Sequence, residues 1–305
     1  MDSVTLRSFL RICELGSFGR AAQVLNTSQP TLSRRIALLE REMQVQLFAR
    51  HQRGVSLTPA GCALKKRALR LVRQMDELHE ELATLAGEPS GTLAIGLAPS
   101  LISIVGGPLI ERFSKSFPRV ELFVFEGIAN EMEEKIASGE LDIALLLPIR
   151  VRLSEVAVRG LASEQMVLAA AARDGLPASP ATVDDLARRP LILYRLPNYS
   201  RWMVEIAFQQ RAQSPRVVAE VNSLPMMLEL ARRGVGAVIL PRSAIEQDVA
   251  AGTLHAVPIS GMRVEWTLAV AREREGTVTA QAMIDCLYDI VRERIRSGAW
   301  EAALV

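Results

Sequence analysis

Polar residues that can form hydrogen bonds with DNA bases and phosphates cluster in one short stretch of this sequence. They are Ser28, Gln29, Thr31, Ser33, Arg34 and Arg35, with Pro30 among them. Hydroxyl, amide and guanidinium groups bind base edges and phosphate oxygens, and a helix N-terminus favours a phosphate. Leu32 and Ile36 lie four positions apart, so a helix here would bury them together and leave the polar side chains outside. The chemistry that this stretch suggests is recognition of a nucleic acid.

The flanking sequence predicts a helix that presents these residues. Ser28 is a typical N-cap and Pro30 suits the first turn, so we expect a helix over residues 30–43. Its apolar stripe consists of Leu32, Ile36, Leu39 and Met43. A second stripe predicts a preceding helix over residues 18–25, and only residues 26–28 separate the two. Two helices joined by a tight turn are typical of a helix-turn-helix, and the alternative is a pair of surface helices with solvated arginines.

A short basic hairpin follows the second helix. Residues 50–54 have the composition of a turn, and the residues after them alternate apolar and polar as a strand does. Arg50 and Arg53 at the tip of such a wing could contact the phosphate backbone or the minor groove beside the recognition helix. We therefore expect an all-α winged helix-turn-helix DNA-binding domain over residues 1–58.

A long helix is predicted next, over residues 59–87. Apolar residues recur in it at alternating steps of four and three: Leu64, Ala68, Leu71, Met75, Leu78, Leu82 and Leu85. Such a heptad seam favours packing against a partner helix, although one stripe could also pack on its own domain. We expect the helix to form a dimer, whose two-fold symmetry would match a symmetric DNA site.

The composition changes after a hinge at residues 88–91. Strands alternate with helices over residues 92–305, which predicts a two-lobed α/β domain with largely parallel sheets. Lobe I is expected at about 92–161 and 266–298, and lobe II at about 162–265. Separate strands are expected at 156–161, 166–172, 254–257 and 264–271, with helices at 242–251 and 279–296, the latter closing the chain.

Charge is distributed unevenly along the chain. Residues 1–75 hold 13 Lys and Arg against 4 Asp and Glu, although the net charge of the whole chain is only +2. A basic N-terminal module is typical of a domain that meets a polyanion. The N-terminus does not resemble a signal peptide, and no apolar run is long enough to span a membrane. We expect a cytoplasmic protein with no membrane partner.

The sequence contains no recognisable enzyme motif. There is no P-loop, no GxGxxG after the first α/β strand, no GxSxG, and no Cys/His pair or metal-ligand cluster. We therefore expect no catalytic residues, no bound metal and no cofactor. A solute-binding protein would lack the basic module, and a redox sensor would need two cysteines in the α/β part, which holds only Cys286. The open questions are whether a small-molecule effector exists and whether the protein activates or represses.

A dense set of residues between positions 6 and 61 carries a family resemblance. The set comprises Gly16, Ser17, Phe18, Ala21, Ala22, Leu25, Ser28, Gln29, Pro30, Leu32, Ser33, Ile36, Leu39, Glu40, Leu47, Phe48, Arg50, Leu57, Thr58, Pro59, Ala60 and Gly61. FPRVEL (117–122), SGELDIALLL (138–147) and RRGVGAVILP (232–241) extend it through the α/β part. The chain resembles the LysR-type transcriptional regulators over essentially its whole length. Residues 194–208 resemble the nitrogen assimilation control branch of that family.

The resemblance implies a specific architecture and set of partners. It implies a winged helix-turn-helix, a dimerising linker helix, and an effector domain like periplasmic binding proteins. It also implies homodimers or homotetramers that bend double-stranded promoter DNA, act on RNA polymerase, and respond to a small molecule of unknown identity. Gln29, Pro30, Thr31, Ser33 and Arg34 match the family's recognition-helix contacts, and Arg50 and Arg53 match its wing. Gln44 departs from the family, which usually has glycine there, so we expect an altered helix cap.

The resemblance places an effector in the cleft between the two lobes. The matching positions are Pro99, Ser100, Leu101, Leu147, Pro148, Ile149, Asn198, Tyr199, Ser200, Asn222 and Ser223. Ser100, Ser200 and Ser223 each fall at a predicted helix start, where hydroxyls and amides could hold a carboxylate, or could simply cap the helix. Arg195 and Arg201 are the nearest candidate counter-charges, although both could be ordinary surface arginines.

Overall fold

The computed structural model describes residues 2–51, 54–84, 89–148, 155–177 and 180–305. The chain divides into two compact units. The N-terminal unit consists mainly of the first 91 residues, and the C-terminal unit contains most of the remainder. Each unit has its own hydrophobic core, so each is described separately.

The N-terminal unit combines helices with one small antiparallel sheet. Its elements are α1 (Ser3–Leu15), α2 (Phe18–Val24), α3 (Gln29–Met43), β1 (Phe48–His51), β2 (Gly54–Leu57) and α4 (Pro59–Thr84). The core joins the apolar sides of these elements. Phe9, Phe18 and Phe48 pack together, with the ring of Phe48 at 5.3 and 5.6 Å from the other two. The stripe of α3 is buried against them through Leu32, Ile36 and Leu39.

Local caps determine where the first three helices begin. The Asp2 carboxylate accepts a hydrogen bond from the Thr5 N–H at 2.7 Å. The Ser28 hydroxyl accepts one from the Thr31 N–H at 3.2 Å, and Ser17 caps α2 in the same way. These bonds satisfy N–H groups that have no acceptor within the helix. The predicted helix start at Ser28 and Pro30 agrees with the structure.

The end of α3 does not have the altered cap that the sequence suggested, because Gln44 takes the place of glycine without a change of backbone conformation. Gln44 adopts a left-handed conformation with φ of 54°, which glycine adopts without a steric penalty. Its N–H bonds to the carbonyl oxygen of Arg41 at 3.2 Å, and the Val45 N–H bonds to that of Glu40 at 3.1 Å. Gln44 therefore terminates the helix with the geometry of a glycine cap.

The heptad seam of α4 has a buried part and an exposed part. Leu64 and Ala68 pack into the core of the N-terminal unit, so these two predicted dimer positions stabilise their own domain. Leu71, Met75 and Leu78 are exposed further along the helix. Leu85 and the side chain of Leu82 lie outside the described part of the chain. The middle of the seam is therefore the part that a partner helix could cover.

The C-terminal unit is built on one mixed sheet. Its strands are β3 (Gly91–Leu97), β4 (Val120–Glu126), β5 (Ile143–Leu146), β6 (Val156–Ala171), β7 (Leu191–Leu193), β8 (Val217–Glu220), β9 (Ala237–Pro241), β10 (Leu254–Ala271) and β11 (Ala302–Leu304). The order across the sheet is β4-β3-β5-β10-β6-β9-β7-β8, and β11 pairs with β6. Lobe I contains β3, β4 and β5, lobe II contains β7, β8 and β9, and β6 and β10 run through both.

Helices cover this sheet. They are α5 (Gly107–Ser116), α6 (Ala129–Ser138), α7 (Val183–Ala187), α8 (Tyr199–Gln209), α9 (Leu224–Arg232), α10 (Glu246–Ala250) and α11 (Val278–Arg296). Parallel pairs join β3 to β5 in lobe I and β7 to β8 and β9 in lobe II. The predicted two-lobed α/β fold is confirmed, but the expectation of largely parallel sheets was wrong, because the long strands β6 and β10 pair antiparallel and make one mixed sheet.

Several predicted element boundaries were wrong. The strands expected at 156–161 and 166–172 are one strand, β6, and those at 254–257 and 264–271 are one strand, β10. The two pair antiparallel along most of their length, and irregularities in their register absorb the polar interruptions. The helix expected at 242–251 is interrupted at Ile245, which has a φ of −122°. The chain ends on strand β11 and not on the last helix.

Candidate nucleic-acid interface and ligand pocket

The first turns of α3 present polar side chains to solvent. Gln29, Pro30 and Arg34 are exposed, and Gln29 and Arg34 make no side-chain hydrogen bond or ion pair with another described residue. The Thr31 hydroxyl lies 2.7 Å from that of Ser28, so these two residues complete the cap. Ser33 is half-buried. Gln29 and Arg34 are therefore the predicted contacts that are most available to a nucleic acid.

Arg35 has a different environment from Arg34. Its guanidinium donates to the Ser8 hydroxyl at 2.8 Å, and that hydroxyl donates in turn to the Val4 carbonyl oxygen at 2.7 Å. Arg35 is half-buried between α1 and α3. In this arrangement the side chain links the two helices, although the sequence suggested only a DNA contact.

The wing is held by bonds to the helices beside it. The Glu40 carboxylate on α3 accepts from the Leu47 N–H at 2.7 Å, at the start of the hairpin. At its far side Gly54 has a φ of 134°, and an added Cβ would lie 2.5 Å from the Gly16 carbonyl oxygen. Only glycine fits that contact. Arg53 and the side chain of Arg50 lie outside the described residues.

A small pocket lies between the two lobes of the C-terminal unit, with a volume of about 40 Å³. Lobe I and its connections contribute Ala98, Pro99, Ser100, Gly127, Ile128, Ala129 and Leu147, and lobe II contributes Tyr194, Asn198, Tyr199, Ser200 and Pro241, with Trp266 from β10. Most of these residues follow the C-terminal end of a strand. That edge of an open α/β sheet is the usual position of a ligand site.

The structure brings together only part of the predicted effector site. Pro99, Ser100, Leu147, Tyr199 and Ser200 line the pocket, together with Asn198. Leu101 is instead buried in the core of lobe I, and Pro148 is not among the lining residues. Ile149 lies outside the described part. Asn222 and Ser223 follow β8, which is the edge strand of the sheet and lies beyond β7 from the pocket.

The three serines at predicted helix starts differ in role. Ser223 is a plain N-cap, since its hydroxyl accepts from the Met226 N–H at 3.5 Å. Ser200 is the second residue of α8, whose cap is Asn198, accepting from the Arg201 N–H at 3.2 Å. Ser100 begins no α-helix; it lies in a short 3₁₀ turn and makes no capping bond. The capping alternative is therefore correct for Ser223 alone.

Sequence reasoning missed several lining residues. Gly127 and Ile128 follow β4 and Pro241 is the last residue of β9, so the rule that ligands bind at strand C-termini could have found them. Trp266 was missed because it lies inside the long strand β10. The sequence does not show that this strand passes from one lobe to the other, so it gives no reason to place Trp266 at the pocket.

Arg201 is not available as a counter-charge. It is buried, and its guanidinium donates to Glu205 at 2.7 Å, to Glu220 at 2.9 Å and to the Tyr194 carbonyl oxygen at 3.1 Å. It therefore fixes the loop that carries Tyr194. Arg195 is exposed and is not among the lining residues.

A buried carboxylate supports the pocket from behind. Glu164 on β6 accepts from the indole N–H of Trp266 at 2.7 Å and from the Ser243 hydroxyl at 3.0 Å, and also from the Ser243 N–H. Burial raises the pKa of Glu164 above its usual range, and these hydrogen bonds only partly oppose that effect. β11 pairs with β6 at this point, and Trp300 just before it is fully buried.

Two further properties bear on function. No cluster of three or more His, Cys, Asp or Glu suited to a metal ion occurs in the described ranges. Within the same ranges, no helix is both long and apolar enough to cross a membrane.

Comparison with known proteins decides the family. Residues 4–62 match the family described as bacterial regulatory helix-turn-helix protein, lysR family, and residues 86–291 match the LysR substrate binding domain. The chain belongs to the LysR family of transcriptional regulators. The HTH-type transcriptional regulator BbuR of Bordetella bronchiseptica is 31% identical over 303 residues, covering 98% of this chain and 93% of BbuR.

Other relatives agree with this LysR-type assignment. The nitrogen assimilation regulatory protein nac of Klebsiella aerogenes is 30% identical, over 92% of both chains. Among solved structures, full-length OxyR from Pseudomonas aeruginosa aligns with a TM-score of 0.73 at 24% identity, covering 96% of this chain and 95% of OxyR. Full-length CbnR complexed with its target DNA aligns with a TM-score of 0.68 at 21% identity, covering 95% of this chain and 100% of CbnR. This LysR-type protein is therefore a DNA-binding transcriptional regulator and not an enzyme.

Proposed function

We propose that this regulator reads its promoter sites through the exposed start of α3, with Arg34 and Gln29 contacting base edges. The observation that supports this most strongly is that both side chains are exposed without a partner among the described residues, while their neighbours cap or anchor the helix. Arg and Gln are side chains that form bidentate hydrogen bonds with guanine and adenine. Ser28, Thr31 and Ser33 contribute phosphate contacts, and Arg50 and Arg53 contribute backbone contacts from the wing. Arg35 positions α3.

We assign the domains as a DNA-binding domain at 1–58, a linker helix at 59–87, a hinge at 88–91 and an effector domain at 92–305. The protein acts in the cytoplasm, where it meets promoter DNA and RNA polymerase. A small molecule that carries a carboxylate binds between the lobes and modulates DNA binding. A regulator that needs no effector is the alternative, and the small volume of the pocket favours it in this conformation.

The test of DNA recognition is binding of genomic fragments by the purified full-length protein over a salt series, followed by sequencing of the bound fragments. We expect a shared motif with two-fold symmetry and an affinity that falls steeply with salt, because cationic contacts release counterions from DNA. Retention of fragments without a shared motif, or no retention at any salt concentration, would contradict the proposal.

We further propose that α4 forms the dimer through Leu71, Met75 and Leu78, and that dimers pair into tetramers. These three side chains are exposed at heptad spacing beyond the part of α4 that packs on its own unit. Leu71→Asp combined with Leu78→Asp should lower the molar mass in light scattering to that of a smaller assembly. Gln74→Asp, at an exposed position of the same helix, is the matched control. An unchanged mass in the double variant would exclude this interface.

A further inference from the structure

The lobe II side of the pocket suits a negatively charged group. Tyr199 and Ser200 form the first turn of α8 and line the pocket. The first N–H groups of a helix have no acceptor within it and carry partial positive charge, so this turn favours a carboxylate. The Ser200 hydroxyl can donate a further hydrogen bond to the same group.

Three residues with hydroxyl groups offer hydrogen bonds to a molecule in the pocket. Ser100, Tyr194 and Ser200 are each at least nine-tenths buried, and all three line the pocket. None of the three hydroxyls forms a hydrogen bond with another residue in the described ranges. Each hydroxyl oxygen keeps some contact with the space of the pocket, so all three can form hydrogen bonds with water or with a ligand there.

The lobe I side has the opposite character. Gly127, Ile128 and Ala129 line the pocket from the middle of a strongly acidic segment, residues 120–134. That segment is flanked by Arg119 and Lys135 and contains five glutamates: Glu121, Glu126, Glu131, Glu133 and Glu134. Glu126 directly precedes the lining residues, and its charge adds to burial in raising the pKa of Tyr194 to about 12. The Glu126 side chain is exposed and does not itself line the pocket, so its charge acts on the pocket through space.

Positive charge near the acidic segment comes from Lys135, which directly follows it and lies 4.8 Å from the centre of the Phe125 ring. None of the described lining residues is Arg, Lys or His. The buried Arg201 is already bound to Glu205 and Glu220. A ligand that turned a second carboxylate toward lobe I would face the net negative charge of this segment.

Aromatic rings complete the pocket. Tyr194, Tyr199 and Trp266 line it from three different elements. An ammonium group is attracted to the faces of such rings, and the attraction is stronger away from water. The rings and the glutamates thus favour the same kind of group.

We propose that the pocket binds a small zwitterion of the free amino acid type, with its carboxylate at the first turn of α8 and its ammonium toward Glu126 in lobe I. This inference rests on the proposed function in taking the pocket as the effector site. A pocket of about 40 Å³ has room for only a few water molecules, so the lobes must separate to admit the ligand. The amide of Asn130 on α6 donates to the Pro197 carbonyl oxygen across the cleft, and this bond must open.

The experiment compares matched probes on the full-length protein. Each L-amino acid is tested beside its 2-hydroxy acid, which lacks the ammonium, and its amide, which lacks the carboxylate; alanine, lactate and alaninamide form one such set. Binding is followed by tryptophan fluorescence, because Trp266 lines the pocket, and by thermal shift. We expect at least one amino acid to bind, with both of its analogues weaker by about tenfold or more, since each loses a charge-assisted contact.

Variants identify the charged group. Glu126→Gln should remove most of the difference in affinity by which the protein binds the amino acid more tightly than its hydroxy acid. Glu121→Gln, at the other end of β4, should leave that preference unchanged. Equal or tighter binding of a hydroxy acid or a dicarboxylate would overturn the proposal, and so would the absence of binding by every amino acid tested. Either result would leave sequence-specific DNA binding intact, so failure of the ligand class is distinguishable from failure of the regulator assignment.

Discussion

Polar side chains have opposite environments in the two units. At the start of α3, Ser28 forms a local cap while Gln29 and Arg34 stand exposed without a partner among the described residues. In the C-terminal unit, Glu164 is buried and bound by groups from positions about 80 and 100 residues away, Ser243 and Trp266. The first arrangement keeps side chains available for a partner molecule. The second holds long strands in place behind a pocket.

This difference separates binding from stability. An exposed side chain contributes little to the free energy of folding, so its removal should change only the affinity for the partner molecule. A buried polar group contributes through a complete set of partners, and removing it leaves the others unsatisfied. Substitutions in the two units should therefore affect different measurements.

The largest effect is expected for Glu164→Ala. This change leaves the Trp266 indole N–H and the Ser243 N–H buried without an acceptor, in a cavity where the carboxylate was. We expect the free energy of unfolding to fall by about 3 kcal/mol or more in urea titrations. The control is Glu265→Ala, an exposed position on the neighbouring strand β10, which should stay within about 0.5 kcal/mol of the parent. Similar losses in both variants would show that the buried network has no special role.

The pH dependence of stability tests the role of the buried Glu164 in a second way. Because burial raises the pKa of Glu164 in the folded protein, the folded state keeps a proton that the unfolded chain releases near its ordinary value of 4.5. The free energy of unfolding should therefore fall as the pH rises from about 4.5 through the raised folded pKa. Glu164→Gln should remove this part of the pH dependence. Parallel curves for the parent and the variant would contradict the assignment.

Local signals explain why the N-terminal unit could be predicted closely. The cap at Ser28, the proline at position 30 and the apolar stripe of α3 all act within a few residues, so the sequence shows them directly. Arg35 is the exception. Its bond to Ser8 joins positions 27 residues apart, and no local pattern distinguishes it from Arg34.

Long-range pairing explains why the pocket was predicted only in part. Ser100, Tyr199 and Ser200 follow strand ends that the sequence reveals, and they line the pocket. Asn222 and Ser223 look the same in sequence, but β8 lies at the edge of the sheet. The strand order depends on β6 and β10 being continuous, and their polar interruptions suggested separate strands.

Arg34→Ala should have the reverse profile of Glu164→Ala. We expect a loss of about 1–3 kcal/mol in binding to the specific site, with little change on random DNA, if Arg34 reads a base. The free energy of unfolding should be unchanged. Binding is measured by fluorescence anisotropy on both duplexes at the same salt concentration.

The matched control for that variant is Arg41→Ala, an exposed arginine in the last turn of the same helix. This variant also removes one positive charge, but at a position far along the helix from the proposed contact. The loss of binding free energy should therefore be small and equal on both duplexes. Equal losses on specific and random DNA for Arg34→Ala would exclude base reading and leave a phosphate contact.

The smallest effect tests how much of α3 is determined locally. Gln44 has a left-handed backbone that costs an ordinary residue roughly 1–2 kcal/mol, whereas glycine adopts it freely but loses more entropy on folding. Gln44→Gly should therefore raise the free energy of unfolding by about 0.5–1 kcal/mol in urea titrations. Asn26→Gly is the control at a φ of 49°, and it should gain less because asparagine tolerates this conformation. The expectation would be contradicted if Gln44→Gly lowered the free energy of unfolding, or if both variants raised it equally. Either result would mean that packing around the turn determines where the recognition helix ends, and that the backbone conformation of Gln44 does not.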